Sequence, residues 1–154
     1  MGTGRGVTVS SVISFVERLE DDSTAFYEEL ADRYDRGRDV FLSFADGSRK
    51  NKRAIVRTYR ETVSDALETG FSFPGLELDA YDVDTELEED AGFDAALDKA
   101  LALERLSVDF YLEAAQGSRS LLATIPMAFK SAAKRREKRQ EQLQAMRAQG
   151  SGNT

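Results

Sequence analysis

Glu20-Asp21-Asp22-Ser23-Thr24-Ala25-Phe26-Tyr27 and Glu104-Arg105-Leu106-Ser107-Val108-Asp109-Phe110-Tyr111 lie 84 residues apart and carry Glu, Ser, Phe and Tyr at equivalent places. Each segment sits where apolar residues recur at three- and four-residue spacing, the period that lines one face of an α-helix. Glu20 falls between Val16 and Thr24, and Glu104 between Ala100 and Val108, each four residues away. That phase turns both glutamates toward a core, although exposure on a helix surface is the ordinary fate of Glu.

Working outward, the same period covers most of the chain and predicts an all-α protein of four helices in one domain over residues 1–154. Helix one spans about residues 10–36, from an N-cap at Ser10 or Ser11 through Val12, Val16, Leu19, Phe26, Leu30 and Tyr34 to a break at Gly37. The second, about 39–69, carries Phe41, Phe44, Ile55, Val56, Val63 and Leu67 and stops at Gly70. Asp46-Gly47-Ser48 is its weak point, since an interior Gly costs about 1 kcal/mol relative to Ala. Helix three, about 94–116, presents Leu97, Leu101, Val108 and Tyr111. Helix four, about 120–148, presents Phe129, Ala132, Ala133, Leu143 and Met146, and residues 150–154 are expected to be disordered. A connection as long as 70–93 is uncommon unless it crosses from one end of a bundle to the other. Phe71 and Phe73 are expected to bury against the bundle end.

Composition removes several kinds of chemistry. Cys and His are both absent, so disulfides, thiolate zinc sites, haem-histidine ligation, His-based triads and CxxC redox centres are excluded, and any metal must be held by oxygen. With 28 acidic against 21 basic residues, the net charge of -7 argues against general nucleic-acid binding. No run of apolar residues reaches the roughly 18 needed to span a membrane. Residues Met1 to Gly6 lack the apolar stretch of a signal peptide, so the cytoplasm is the expected compartment.

Glu-x5-Phe-Tyr, occurring twice in helices one and three of two short-looped helical pairs, resembles the rubrerythrin branch of the ferritin-like superfamily across about residues 10–148. The resemblance implies a ferritin-like four-helix bundle of two helical hairpins with a long crossover between helices two and three. It also implies that each of these glutamates ligates a di-iron centre, with a Glu-x-x-His pair added by each of helices two and four. Residues at i and i+3 share a helix face, which is why that spacing serves one metal.

In helix two the family frame Phe41-x-x-Phe44-Ala45 leads to Ser48 in place of the Glu and Asn51 in place of the His. In helix four Phe129-x-x-Ala132-Ala133 leads to Arg136 and Arg139, while a register four residues earlier leads to Ala132 and Arg135. A guanidinium neither ligates nor deprotonates, so it repels the metal it displaces. Two carboxylates in a bundle core still require partners. The expectation is a structural ion pair in which an arginine of helix four, Arg136 first and Arg135 or Arg139 next, lies between Glu20 and Glu104.

Other features read more plainly. Tyr27 and Tyr111 are expected to be packing aromatics with one hydrogen bond each rather than redox participants. Lys130, Lys134, Arg135, Arg136, Lys138 and Arg139, with Glu137 and Glu141 interspersed, form a solvated face, or alternatively a docking surface. The acidic run from Asp79 to Asp90 lacks EF-hand spacing and its glycine, and reads as a solvated connector.

Three function classes follow. The leading one is a non-enzymatic bundle without a working di-iron centre and without a cofactor, serving as a structural or interaction module and favouring a homodimer. The second is an oxidoreductase with an oxygen-only Fe or Mn site on Glu20 and Glu104. The third is a helical binding protein that uses the basic fourth helix.

Overall fold

The computed structural model describes residues 7–62, 71–82, 84–121 and 123–152. Among them the architecture is all-α, with four long helices: α1 (Val9–Arg33), α2 (Arg38–Thr62), α3 (Phe93–Gly117) and α4 (Thr124–Gly152). None is long and apolar enough to cross a membrane.

The start of α1 lies earlier than Ser10 or Ser11. Thr8 is the N-cap, its hydroxyl oxygen accepting the Ser11 N–H at 3.0 Å. The apolar face explains the shift, because Val9 is itself buried and begins the run Val9, Val12, Ile13, Val16. At the other end Tyr34 closes the helix through its N–H to the Leu30 carbonyl, and Gly37 takes φ +76°, the left-handed turn that glycine adopts without strain.

The connection after α2 carries structure of its own. Residues 63–70, including the predicted core positions Val63 and Leu67 and the stop at Gly70, lie outside the described residues. Beyond them Ser72–Phe73 (β2) pairs antiparallel with Val7–Thr8 (β1), a two-residue ladder that ties the connection to the entrance of α1. A single 3-10 turn follows at Leu78–Tyr81. Phe73 is fully buried, edge-on to Phe129 at 6.3 Å and against Gly117, where a Cβ would stand 3.1 Å from its ring. Phe71 is only half-buried and meets Phe73 at 5.2 Å, so one of the two rings plugs the core and the other covers it.

The acidic part of this connection is held against α1 and α3. Arg33 donates to the carbonyls of Leu87 and Glu88, Tyr34 donates to the Ala91 carbonyl at 2.6 Å, and Lys99 pairs with Asp84 at 3.0 Å. The Tyr81 ring packs on Phe110 at 5.5 Å.

α4 begins at Thr124, because residues 118–121 form a turn closed by the Leu121 N–H on the Ser118 carbonyl. Pro126 then falls in the first helical turn, where a backbone N–H has no intrahelical acceptor. At the far end the helix runs to Gly152, past the predicted stop near 148; Asn153 and Thr154 lie outside the described residues.

α1 packs mainly on α2 and α3 mainly on α4, while α2 also meets α4. Ion pairs Asp21–Lys52 and Glu28–Arg49 tie the first two, and Asp98–Arg147 ties the others. Leu19, Leu30, Phe41, Phe44, Leu97, Leu103, Phe110 and Leu143 are among the buried residues at the centre.

Candidate functional site

Polar side chains from all four helices meet inside this apolar shell. Glu20, Ser23, Ser48, Asn51, Glu104 and Arg136 are completely inaccessible, and Arg139 retains 4% exposure. Such burial requires partners for each group, and almost every atom has one.

Arg136 lies between the two glutamates. Its Nη1 donates to Glu104 Oε1 and Oε2, both at 2.9 Å, and its Nη2 donates to Glu20 Oε1 at 2.7 Å and Ser23 Oγ at 2.9 Å. Arg139 enters one turn later. Its Nη1 donates to Ser48 Oγ at 3.0 Å and reaches Glu104 Oε2 at 3.4 Å, while the guanidinium carbon stands 5.5 Å from the Phe44 ring centroid. Two carboxylates therefore face two guanidiniums, and the buried charges balance.

The tyrosines of the repeat cross over. Tyr27 donates to Glu104 Oε2 and Tyr111 to Glu20 Oε2. Within one helix Tyr follows Glu by seven residues, about two turns or 10 Å along the axis, so neither can serve its own glutamate. Each therefore serves the glutamate of the other repeat. Asn51 Nδ2 completes the Glu20 shell at 3.5 Å.

The aromatic frame sets the register of α4. Tyr27 stacks on Phe41 at 6.3 Å and Tyr111 on Phe129 at the same 6.3 Å, so Phe41 and Phe129 are counterparts. Ser48 then corresponds to Arg136 and Asn51 to Arg139. In the other register, Ala132 is plain apolar wall and Arg135 stays exposed at the rim, where its Nε donates to Asn51 Oδ1. The solvated-face reading of the basic cluster is corrected accordingly: Arg136 and Arg139 are core residues, whereas Lys130, Lys134, Arg135 and Lys138 are exposed.

Gly47 acquires a role here. α2 runs through it without a break, and a Cβ at this position would stand 2.9 Å from Arg139 Nη2. The missing side chain makes room for the second guanidinium.

Electrostatics follow the geometry. Burial pulls the Arg136 pKa down, but the carboxylates of Glu104 and Glu20 outweigh it and hold the guanidinium charged more firmly than in water. Burial, then the charge of Glu104, raises the Tyr27 pKa well above its ordinary value; burial and Glu20 do the same for Tyr111. Both hydroxyls stay protonated and donate. Ionising either tyrosine is harder in the folded protein than in the unfolded chain. Their contribution to stability is thus complete below about pH 10 and is lost as pH rises from there toward the folded values. Of the five tyrosines, Tyr27 and Tyr111 are expected to ionise only as helical circular dichroism disappears in an alkaline titration. Ionisation of all five in an intact helical protein would contradict their buried donor role.

The residues present do not fit a di-iron centre. A guanidinium fills the space between the two carboxylates, the remaining groups are a second guanidinium, hydroxyls and one amide, and no three or more carboxylates stand together as they would to hold a metal ion among the described residues. Among those residues the Nε of Arg136 is the single buried side-chain polar atom without a partner.

No family model matches the chain, and no curated protein or solved structure is significantly similar to it.

Proposed function

We propose that the chain is a rubrerythrin-like member of the ferritin-like superfamily whose two helical hairpins and long crossover persist while its di-iron centre does not. The observation that carries this reading is Arg136, which bonds Glu20 and Glu104 at once from inside the core. The paired Glu, Ser and Tyr of the two repeats support common descent of the two halves, and their crossed hydrogen bonds support a role as a framework. On this reading the core is a fixed internal salt bridge, and the protein is a structural or interaction module rather than an enzyme. A homodimer in the cytoplasm belongs to the same proposal, with Leu42, Leu112 and Met127 as large apolar side chains exposed for contact.

Elemental analysis of protein purified without added metal, followed by titration with Fe(II) and Mn(II), tests it. The expected result is no stoichiometric metal and no saturable uptake. Uptake of about two ions per chain that is abolished by Glu20→Gln or Glu104→Gln would instead favour the oxygen-ligated oxidoreductase.

A further inference from the structure

Beyond Arg38 at its start, the basic residues of α2 fall into two groups. Arg49, Lys50 and Lys52 each pair with a carboxylate, those of Glu28, Asp46 and Asp21. Arg53, Arg57 and Arg60 follow at helical spacing, are exposed, and have no ion pair or hydrogen bond among the described residues. These three line an open groove of about 710 Å³ between α1 and α2, together with Lys52, the half-buried Val56, Glu17 and Glu61. The size lies within the range of small-molecule sites, roughly 300–1,000 Å³. Three unpaired arginines against Glu17 and Glu61, with Lys52 already paired to Asp21, leave this groove net positive in a protein of net charge -7. The Cβ atoms of helix neighbours three or four residues apart, as Arg53 and Arg57 or Arg57 and Arg60 are, stand about 5–6 Å from each other, close enough for neighbouring forks to reach adjoining phosphates bidentately.

We propose that this groove binds a small organic polyphosphate, with the phosphates on Arg53, Arg57 and Arg60 and the organic part over Val56. A compact anion fits better than a nucleic-acid strand. Glu17 and Glu61 stand in the same groove and the molecule as a whole is acidic, so a polymer of phosphates running beyond it would meet repulsion. The proposal is independent of the core reading, since none of these residues touches Glu20, Glu104 or Arg136.

Calorimetric titration of the full chain with ATP and with inorganic tripolyphosphate tests it. Two triple variants accompany the wild type: Arg53→Gln/Arg57→Gln/Arg60→Gln, and Lys130→Gln/Lys134→Gln/Lys138→Gln on α4 as a control with the same charge change. All six positions are exposed, so circular dichroism should be unaltered. The expected result is saturable one-site binding of ATP, tighter than tripolyphosphate, weakened by about tenfold or more in the groove variant and by less than about twofold in the control. Absence of saturable binding at millimolar ATP, equal weakening in both variants, or tighter binding of single-stranded DNA than of ATP would each overturn the proposal.

Discussion

Arg136→Ala is expected to cost about 3–5 kcal/mol of stability, the range for removing one partner of a buried ion pair. At about 2–4 °C per kcal/mol for a protein of this size, the melting temperature should fall by roughly 10 °C. The magnitude follows from what the truncation leaves behind. Glu20 loses its nearest cation, Glu104 keeps the Tyr27 hydroxyl but, of its cations, only the longer contact to Arg139, and the Ser23 hydroxyl loses a donor. Lys134→Ala, an exposed change on the same helix, should stay within about 0.5 kcal/mol. Urea unfolding of the two variants beside the wild type separates a core counter-ion from a surface charge. A small effect of Arg136→Ala would contradict the buried pairing.

The second large effect is expected at Glu104, and it should exceed that at Glu20. Glu104 touches both guanidiniums and accepts from Tyr27, whereas Glu20 meets only Arg136 among the cations. Glu104→Leu therefore strands two buried positive charges with one carboxylate between them. A loss of about 3–5 kcal/mol is expected there, with a smaller loss for Glu20→Leu. The combination Glu20→Gln/Glu104→Gln/Arg136→Met/Arg139→Met removes the four buried charges together and keeps the volumes close. It should recover most of the stability lost by either single change, because buried ion pairs replaced as a set by uncharged residues are often neutral. Strict additivity of the four single losses would contradict a coupled core.

How far the sequence foretells these features varies with the kind of evidence. Helix phase is readable because burial and periodicity are one phenomenon: Val12, Val16, Leu19, Phe26 and Leu30 recur at helical spacing and are all buried. Helix ends are less readable, since the cap at Thr8 depends on Val9 being in the core, a tertiary matter. The same holds for the strand pair between Val7–Thr8 and Ser72–Phe73, too short to leave a period-two pattern.

At the site, a carboxylate on an apolar helix face signals a buried partner, and the Phe129-x-x-Ala132-Ala133 frame indicates where along α4 to seek it. Choosing among Arg135, Arg136 and Arg139 needs the rotation of α4 about its axis. One of the three reaches both glutamates, one reaches Glu104 and Ser48, and one stays at the rim. Tyr27 and Tyr111 show in the repeat, but their acceptors lie on the opposite helix, and spacing within a segment carries no information about that. Gly47 reads as a flaw in α2 until Arg139 is placed beside it. Ser23 is visible as a repeated residue, with nothing in one dimension to say that it accepts from Arg136.

Arg136, an arginine of the chain itself, fills the space between Glu20 and Glu104 and joins them. A diffraction structure from crystals grown with excess Mn(II) or Fe(II), with anomalous data collected, addresses this placement most directly. The expected result is continuous density from the α4 backbone to a guanidinium bonded to both carboxylates, with no anomalous peak between them. Anomalous peaks bridged by Glu20 and Glu104, with Arg136 turned away, would contradict it.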